Sequence, residues 1–176
     1  MNLFVSRIIR AARLDPNLYE EVEADRSSLS QAIIVIVASN IAAGIGSVAE
    51  ITSIELISTT FGALVGWFLW ALITYLLGAK VFPQSQTEAD YGQLLRTIGF
   101  SSSPGIIRIL GIIPEIRDPV FFIASLWMLV AMVIAVRQAL DYTSTLRAVL
   151  VVLVGWILQI FVFGSLFLLL EPQVME

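Results

Sequence analysis

A chain of 176 residues suits one domain, but 58% of it is hydrophobic and 14% charged, with a mean hydropathy of +0.90; soluble domains run at roughly 45–50% apolar and about 25% charged. The absence of Cys and His excludes thiol nucleophiles, disulfides, zinc fingers, haem ligation and Ser-His triads, and no cofactor is expected. A net charge of −4 argues against nucleic acid as a partner, because a phosphate-binding surface needs clustered positive charge.

Met1 to Leu14 is amphipathic if helical. Phe4, Val5, Ile8, Ile9 and Ala12 fall on one arc, and Arg7, Arg10 and Arg13 on another. Such a helix either lies in a headgroup layer or docks on the protein, and the pattern suits both. Asp15-Pro16 reads as an N-cap followed by proline at the first helical position. Glu20, Glu21 and Glu23 come early in the helix that follows, where the dipole favours them. Residues 1–28 hold 9 of the 24 charges and form a charged N-terminal segment.

A bilayer core needs about 20 mostly apolar residues per crossing helix. Leu29 to Ala49, Ile57 to Ala79 and Leu146 to Leu170 meet this, and Pro119 to Val136 is shorter but uncharged. In lipid only a helix satisfies every backbone group of such runs internally. The first run starts too late, after a net-negative leader, to read as a signal peptide.

The stretch Leu94 to Ile113 is interrupted by Gly99, Pro104 and Gly105 and flanked by Arg96 and Arg108. It is either a span broken at Ser103-Pro104, with both arginines snorkelling to headgroups, or an interfacial or re-entrant segment. A break predicts that the helix from Tyr91 ends near Ser101 to Ser103 and another starts near Pro104, with Ser103 pushed away from helical angles. Arg108, among Ile106, Ile107, Ile109 and Leu110, then needs a partner: Glu115, Asp118 or backbone carbonyls. Counting Lys and Arg puts eight inside and two outside whether the spans number four or five, so the N-terminus is cytoplasmic in both arrangements. The tail 171–176 has no basic residue and favours an external C-terminus.

The interiors of the four runs carry no Asp, Glu, Lys or Arg, whereas coupled carriers usually place an ionisable group at membrane depth. Asn40 and Gln159 are the candidate coordinating groups, and interhelical hydrogen bonding is the competing reading. Gly62 and Gly66 form a GxxxG on the second run, and both glycines suit a close helix crossing. Trp67 and Trp70 sit mid-run and suit packing.

The order of these features resembles the Yip1 domain family, particularly its prokaryotic members. The carrying residues are Asp15, Pro16 and Tyr19; Tyr91; Leu94-Leu95-Arg96; the glycine-aromatic-x3-proline motif of Gly99, Phe100 and Pro104; and Ala124-Ser125-Leu126-Trp127. The resemblance covers about residues 10 to 168. It implies an all-α, polytopic bundle of five transmembrane helices with a broken third helix, after a short amphipathic N-terminal helix. The transmembrane domain is then 29–170, and 171–176 an external tail. It implies a multi-pass protein of the prokaryotic plasma membrane, non-enzymatic, acting by helix-helix association, membrane organisation or a trafficking-like role. The partners expected are the bilayer and a second copy or another membrane protein. The eukaryotic relatives' Asp-Leu-Tyr-Gly-Pro motif is absent, so their binding of small GTPases is not carried over. The alternative is a small transporter or channel with a site lined by the broken helix.

Overall fold

A computed structural model describes residues 2–47 and 52–170. The tail 171–176 and the last residues of the run ending at Ala49 lie outside the described residues. The rest is helix and connecting turn: α1 (Leu3–Ala12), α2 (Pro16–Ala24), α3 (Ser28–Gly46), α4 (Ser53–Tyr75), α5 (Tyr91–Phe100), α6 (Arg117–Ala139) and α7 (Thr145–Leu170). A π-helical turn, Leu76–Val81, extends α4, and a 3-10 helix, Ser103–Ile112, follows α5. Among the described residues four helices are long and apolar enough to cross a membrane: α3, α4 with its π turn, α6 and α7.

Local signals account for the helix starts. The Asp15 side chain accepts from the Asn17 N–H with Pro16 at the first position of α2. Capping boxes open α4 (Thr52 with Glu55) and α5 (Asp90 with Gln93).

α1 and α2 form a hairpin, turned at Leu14 with φ 61, that docks on the bundle. Leu18, Tyr19 and Val22 of α2 and Ala11 of α1 join the same buried core as Trp67, Leu94 and Val136. Of the arginine arc only Arg13 is exposed to water: Arg7 is 4% exposed and Arg10 is half-buried. The reason is α2, whose acids meet it. Arg7 pairs with Glu21 at 2.8 Å and Asp25 at 2.9 Å, and donates to Gln31 Oε1 on α3 at 3.0 Å. Arg10 pairs with Asp15 at 2.8 Å and with Glu21. α2 has no acid in its first turn; Glu20, Glu21 and Glu23 lie beyond it, so Glu21 serves tertiary pairing and not the helix dipole. The Trp127 indole N–H donates to the Ala12 carbonyl at 2.7 Å and Gln138 to Glu20 at 2.6 Å, fixing the hairpin to α6.

The close crossings within the chain are not at Gly62 and Gly66. A Cβ added at Gly62 meets nothing within 4 Å, and one at Gly66 meets only Gln159 Nε2 at 3.9 Å. The side of α4 that carries Phe61 and Val65 is exposed instead. Trp67 and Trp70 are buried packing residues: the Trp67 indole donates to the Leu95 carbonyl at 3.1 Å, and Trp70 lies against Gly155 of α7.

Candidate functional site

The segment from Arg96 to Gly111 gathers the charged, glycine and proline residues that the sequence singles out. α5 ends at Phe100 and the 3-10 helix opens at Ser103. Pro104 has no N–H to offer the Phe100 carbonyl; the Ser103 hydroxyl donates to that carbonyl instead, at 2.7 Å. The Ser101 hydroxyl likewise donates to the Ile98 carbonyl at 2.6 Å. Ser103 is not an extended link. It is the first residue of the 3-10 helix, with Pro104 second, where no intrahelical N–H is required.

The 3-10 helix lies along α3. A Cβ at Gly99 would sit 2.6 Å from Ala32 Cβ; one at Gly105 would overlap the Ser39 hydroxyl and sit 2.7 Å from Met128 Sδ. One at Gly111 would sit 2.7 Å from the Gly46 carbonyl, and one at Gly46 would overlap the Arg108 carbonyl. The α3 partners Ala32, Ser39 and Gly46 recur every seven residues, about two α-helical turns. Gly105 and Gly111 are six residues apart, two turns of the 3-10 helix that holds both, and Gly99 stands six residues earlier on α5. A helix with 3.0 residues per turn stacks residues i and i+3, so Gly105, Arg108 and Gly111 share the face turned to α3. This spacing is the sequence signal that marks the real crossing.

Both arginines are held by backbone. Arg108 is half-buried; its Nε donates to the Gly105 carbonyl at 3.0 Å, and its Nη2 to the Ser39 hydroxyl at 2.8 Å and carbonyl at 3.3 Å. Its partners are thus carbonyls and a hydroxyl, and not Glu115 or Asp118. Arg96 does not snorkel: it is 7% exposed, covered by α2, and donates to the Val22 carbonyl at 3.0 Å and to the Glu23 carbonyl. These carbonyls end α2, where the helix dipole favours a cation. Phe100 and Pro104 are buried around the turn.

Among the described residues no hydrogen bond brings Asn40 or Gln159 together with this segment. Asn40 donates to the Ile36 carbonyl of its own helix at 3.3 Å, and Gln159 lies beside Gly66. Among the described residues Asn40 has no hydrogen bond to another helix.

Sequence reading missed Glu23. Its Oε2 is buried without a hydrogen-bond partner among the described residues. Burial, together with the nearby Asp141, Glu20 and Asp90, raises its carboxyl pKa to about 7 against the opposing Arg96. A raised carboxyl pKa means that folding favours the protonated form, so this contribution is present below the ordinary value of 4.5 and is lost as pH rises through about 7. Glu23→Gln is expected to raise the melting temperature in detergent at pH 8 and leave it unchanged at pH 4. An equal shift at both values would show that titration is not involved. Glu21 and Asp25 have the opposite sign. The Arg7 hydrogen bond and then that of Arg10 lower Glu21, and Ser27 and then Arg7 lower Asp25, so their contribution is lost on acidification.

The chain matches the Yip1 domain family over residues 15–166. No curated protein and no solved structure matches.

Proposed function

The chain belongs to the Yip1 domain family and is a multi-pass integral membrane protein, and we propose that it acts without catalysis, through association of its helices with other helices and organisation of the surrounding membrane. One observation carries this reading. The charged groups of the central segment are spent on the chain's own backbone, since Arg96 and Arg108 donate to carbonyls and to Ser39. A binding or catalytic site would hold donors free for a ligand. The interior beside them is filled by Trp67, Trp70, Leu94 and Phe100.

Five crossings fit this role, with α5 and the 3-10 helix together as the third. A 3-10 helix rises about 2.0 Å per residue against 1.5 Å for an α-helix. Its 10 residues therefore cover roughly 20 Å, beyond what the same residues reach in α form. The register along α3, from Ala32 beside Gly99 to Gly46 beside Gly111, supports a segment that travels the depth of that helix. The N-terminus, with residues 1–28, is placed on the cytoplasmic side of a prokaryotic plasma membrane, and the tail 171–176 outside.

Single cysteines on this Cys-free background test both statements. With an impermeant thiol reagent on intact cells, Glu115→Cys is expected to label and Ser85→Cys to be protected; the same result at both positions overturns five crossings. A photo-crosslinker at exposed Phe61 in native membranes is expected to yield an adduct with a second copy or another membrane protein. Adducts with lipid alone would overturn the association reading.

A further inference from the structure

A cavity of about 360 Å³ opens where the π turn and the start of α7 meet, lined by Phe82, Tyr142, Arg147, Leu150, Val151 and Val154. Pockets for small ligands begin at about this size. Its placement follows from local structure. The π turn carries Phe82 past the end of α4, closing with a bond from the Phe82 N–H to the Leu77 carbonyl at 2.8 Å. The Tyr142 hydroxyl lies 2.9 Å from both the Gly78 and Phe82 carbonyls, and so ties the loop after α6 to the π turn. On α7, Leu150, Val151 and Val154 stand three, four and seven residues after Arg147. They form one helical stripe with the cation at its start.

We propose that this groove binds one anionic phospholipid, its phosphate on Arg147 and an acyl chain along Leu150, Val151 and Val154. Charge argues for the headgroup. Arg147 is exposed and makes no ion pair among the described residues. The neighbouring cations are engaged: Arg137 donates to the Tyr142 and Thr143 carbonyls and to Thr145, and Lys80 lies 5.4 Å from the Tyr75 ring centre. Asp141 is turned elsewhere, accepting from the Glu88 N–H at 3.2 Å. Depth argues for the chain. Arg147 is in the first turn of a helix long and apolar enough to cross a membrane, so it stands at headgroup level in whichever leaflet the helix begins. Val154 is about 10 Å deeper at an α-helical rise, in the hydrocarbon. A basic residue at the mouth of an apolar groove between membrane helices suits a phosphate with a chain attached. Val151 is buried, and Phe82, Leu150 and Val154 are exposed on the groove walls, so a chain can enter sideways from the bilayer.

The test is native mass spectrometry of the purified full chain in detergent, titrated with phosphatidylglycerol or phosphatidylcholine of the same acyl chains. One saturable phosphatidylglycerol is expected, retained about fivefold better than phosphatidylcholine, the preference that one basic residue at a membrane surface supplies. Arg147→Gln should abolish the preference while leaving chain binding, and Val154→Trp should reduce retention of both lipids by filling the groove. Both positions are exposed, and an unchanged melting temperature checks each fold. Glycerol phosphate, a headgroup without chains, should not compete. Equal retention of the two lipids, retention indifferent to both substitutions, or competition by glycerol phosphate would each overturn the proposal.

Discussion

Gly46→Ala is expected to destabilise the protein near the top of the ~1–3 kcal/mol range for overpacking, and Gly62→Ala to leave its melting temperature in detergent unchanged or slightly higher. In a helix interior, as at Gly62, alanine is ordinarily favoured over glycine by about 1 kcal/mol, so a loss at Gly46 with none at Gly62 reports the tertiary contact. At Gly46 the new methyl would overlap the Arg108 carbonyl, and it would also stand 3.3 Å from the Phe121 ring. A carbonyl belongs to the backbone and has no rotamer to move to; the 3-10 helix must shift as a body. That shift opens the seam through Ser39 and Gly105, where Arg108 finds its bonds. At Gly62 there is open space. Equal melting temperatures for the two variants would mean that α3 and the 3-10 helix do not approach at Gly46.

The contrast between these glycines shows what was legible in the sequence. Length and hydropathy mark α3, α4, α6 and α7, because a run of apolar residues in lipid has only one way to satisfy its backbone. Asp15-Pro16 and Ser103-Pro104 are legible because capping and proline act on adjacent residues. Packing partners are less so. The Gly62–Gly66 spacing matches a close-crossing motif, but a small residue permits approach without requiring it. The actual seam needs glycine at a spacing of six, which has meaning only once a 3-10 helix is known. Arg7 shows the same limit. By helical phase it lies on the polar arc of α1, and its burial depends on Glu21 and Asp25 arriving from another helix. Likewise Arg96 reads as a flank of a broken span until α2 is seen to cover it.

That cover makes the strongest remaining prediction, Arg96→Met. Methionine keeps an unbranched apolar stem in place of the arginine's and removes its charge and donors. The Glu23 carbonyl then loses the Arg96 donor, while the Val22 carbonyl keeps the Ser28 hydroxyl at 2.9 Å. One buried unsatisfied carbonyl costs about 1–3 kcal/mol, and the lost cation at the end of the α2 dipole adds about 0.3–1 kcal/mol. The Glu23 carboxyl, whose pKa Arg96 holds down, moves further up, so more of the variant is protonated there near neutrality. The loss falls on the hairpin and not on the apolar helices, because this guanidinium bonds α5 to the end of α2. Trypsin should therefore cut at exposed Arg13 and Arg26 faster in Arg96→Met than in wild type, before the rest of the chain is touched. Arg96→Lys should fall between the two: it restores the charge, but a point-like ammonium lacks the planar fork that meets both carbonyls. If all three proteins are cut at the same rate and melt together, Arg96 does not hold the hairpin, and the buried Leu18, Tyr19 and Val22 with the bonds from Trp127 and Gln138 of α6 carry that attachment.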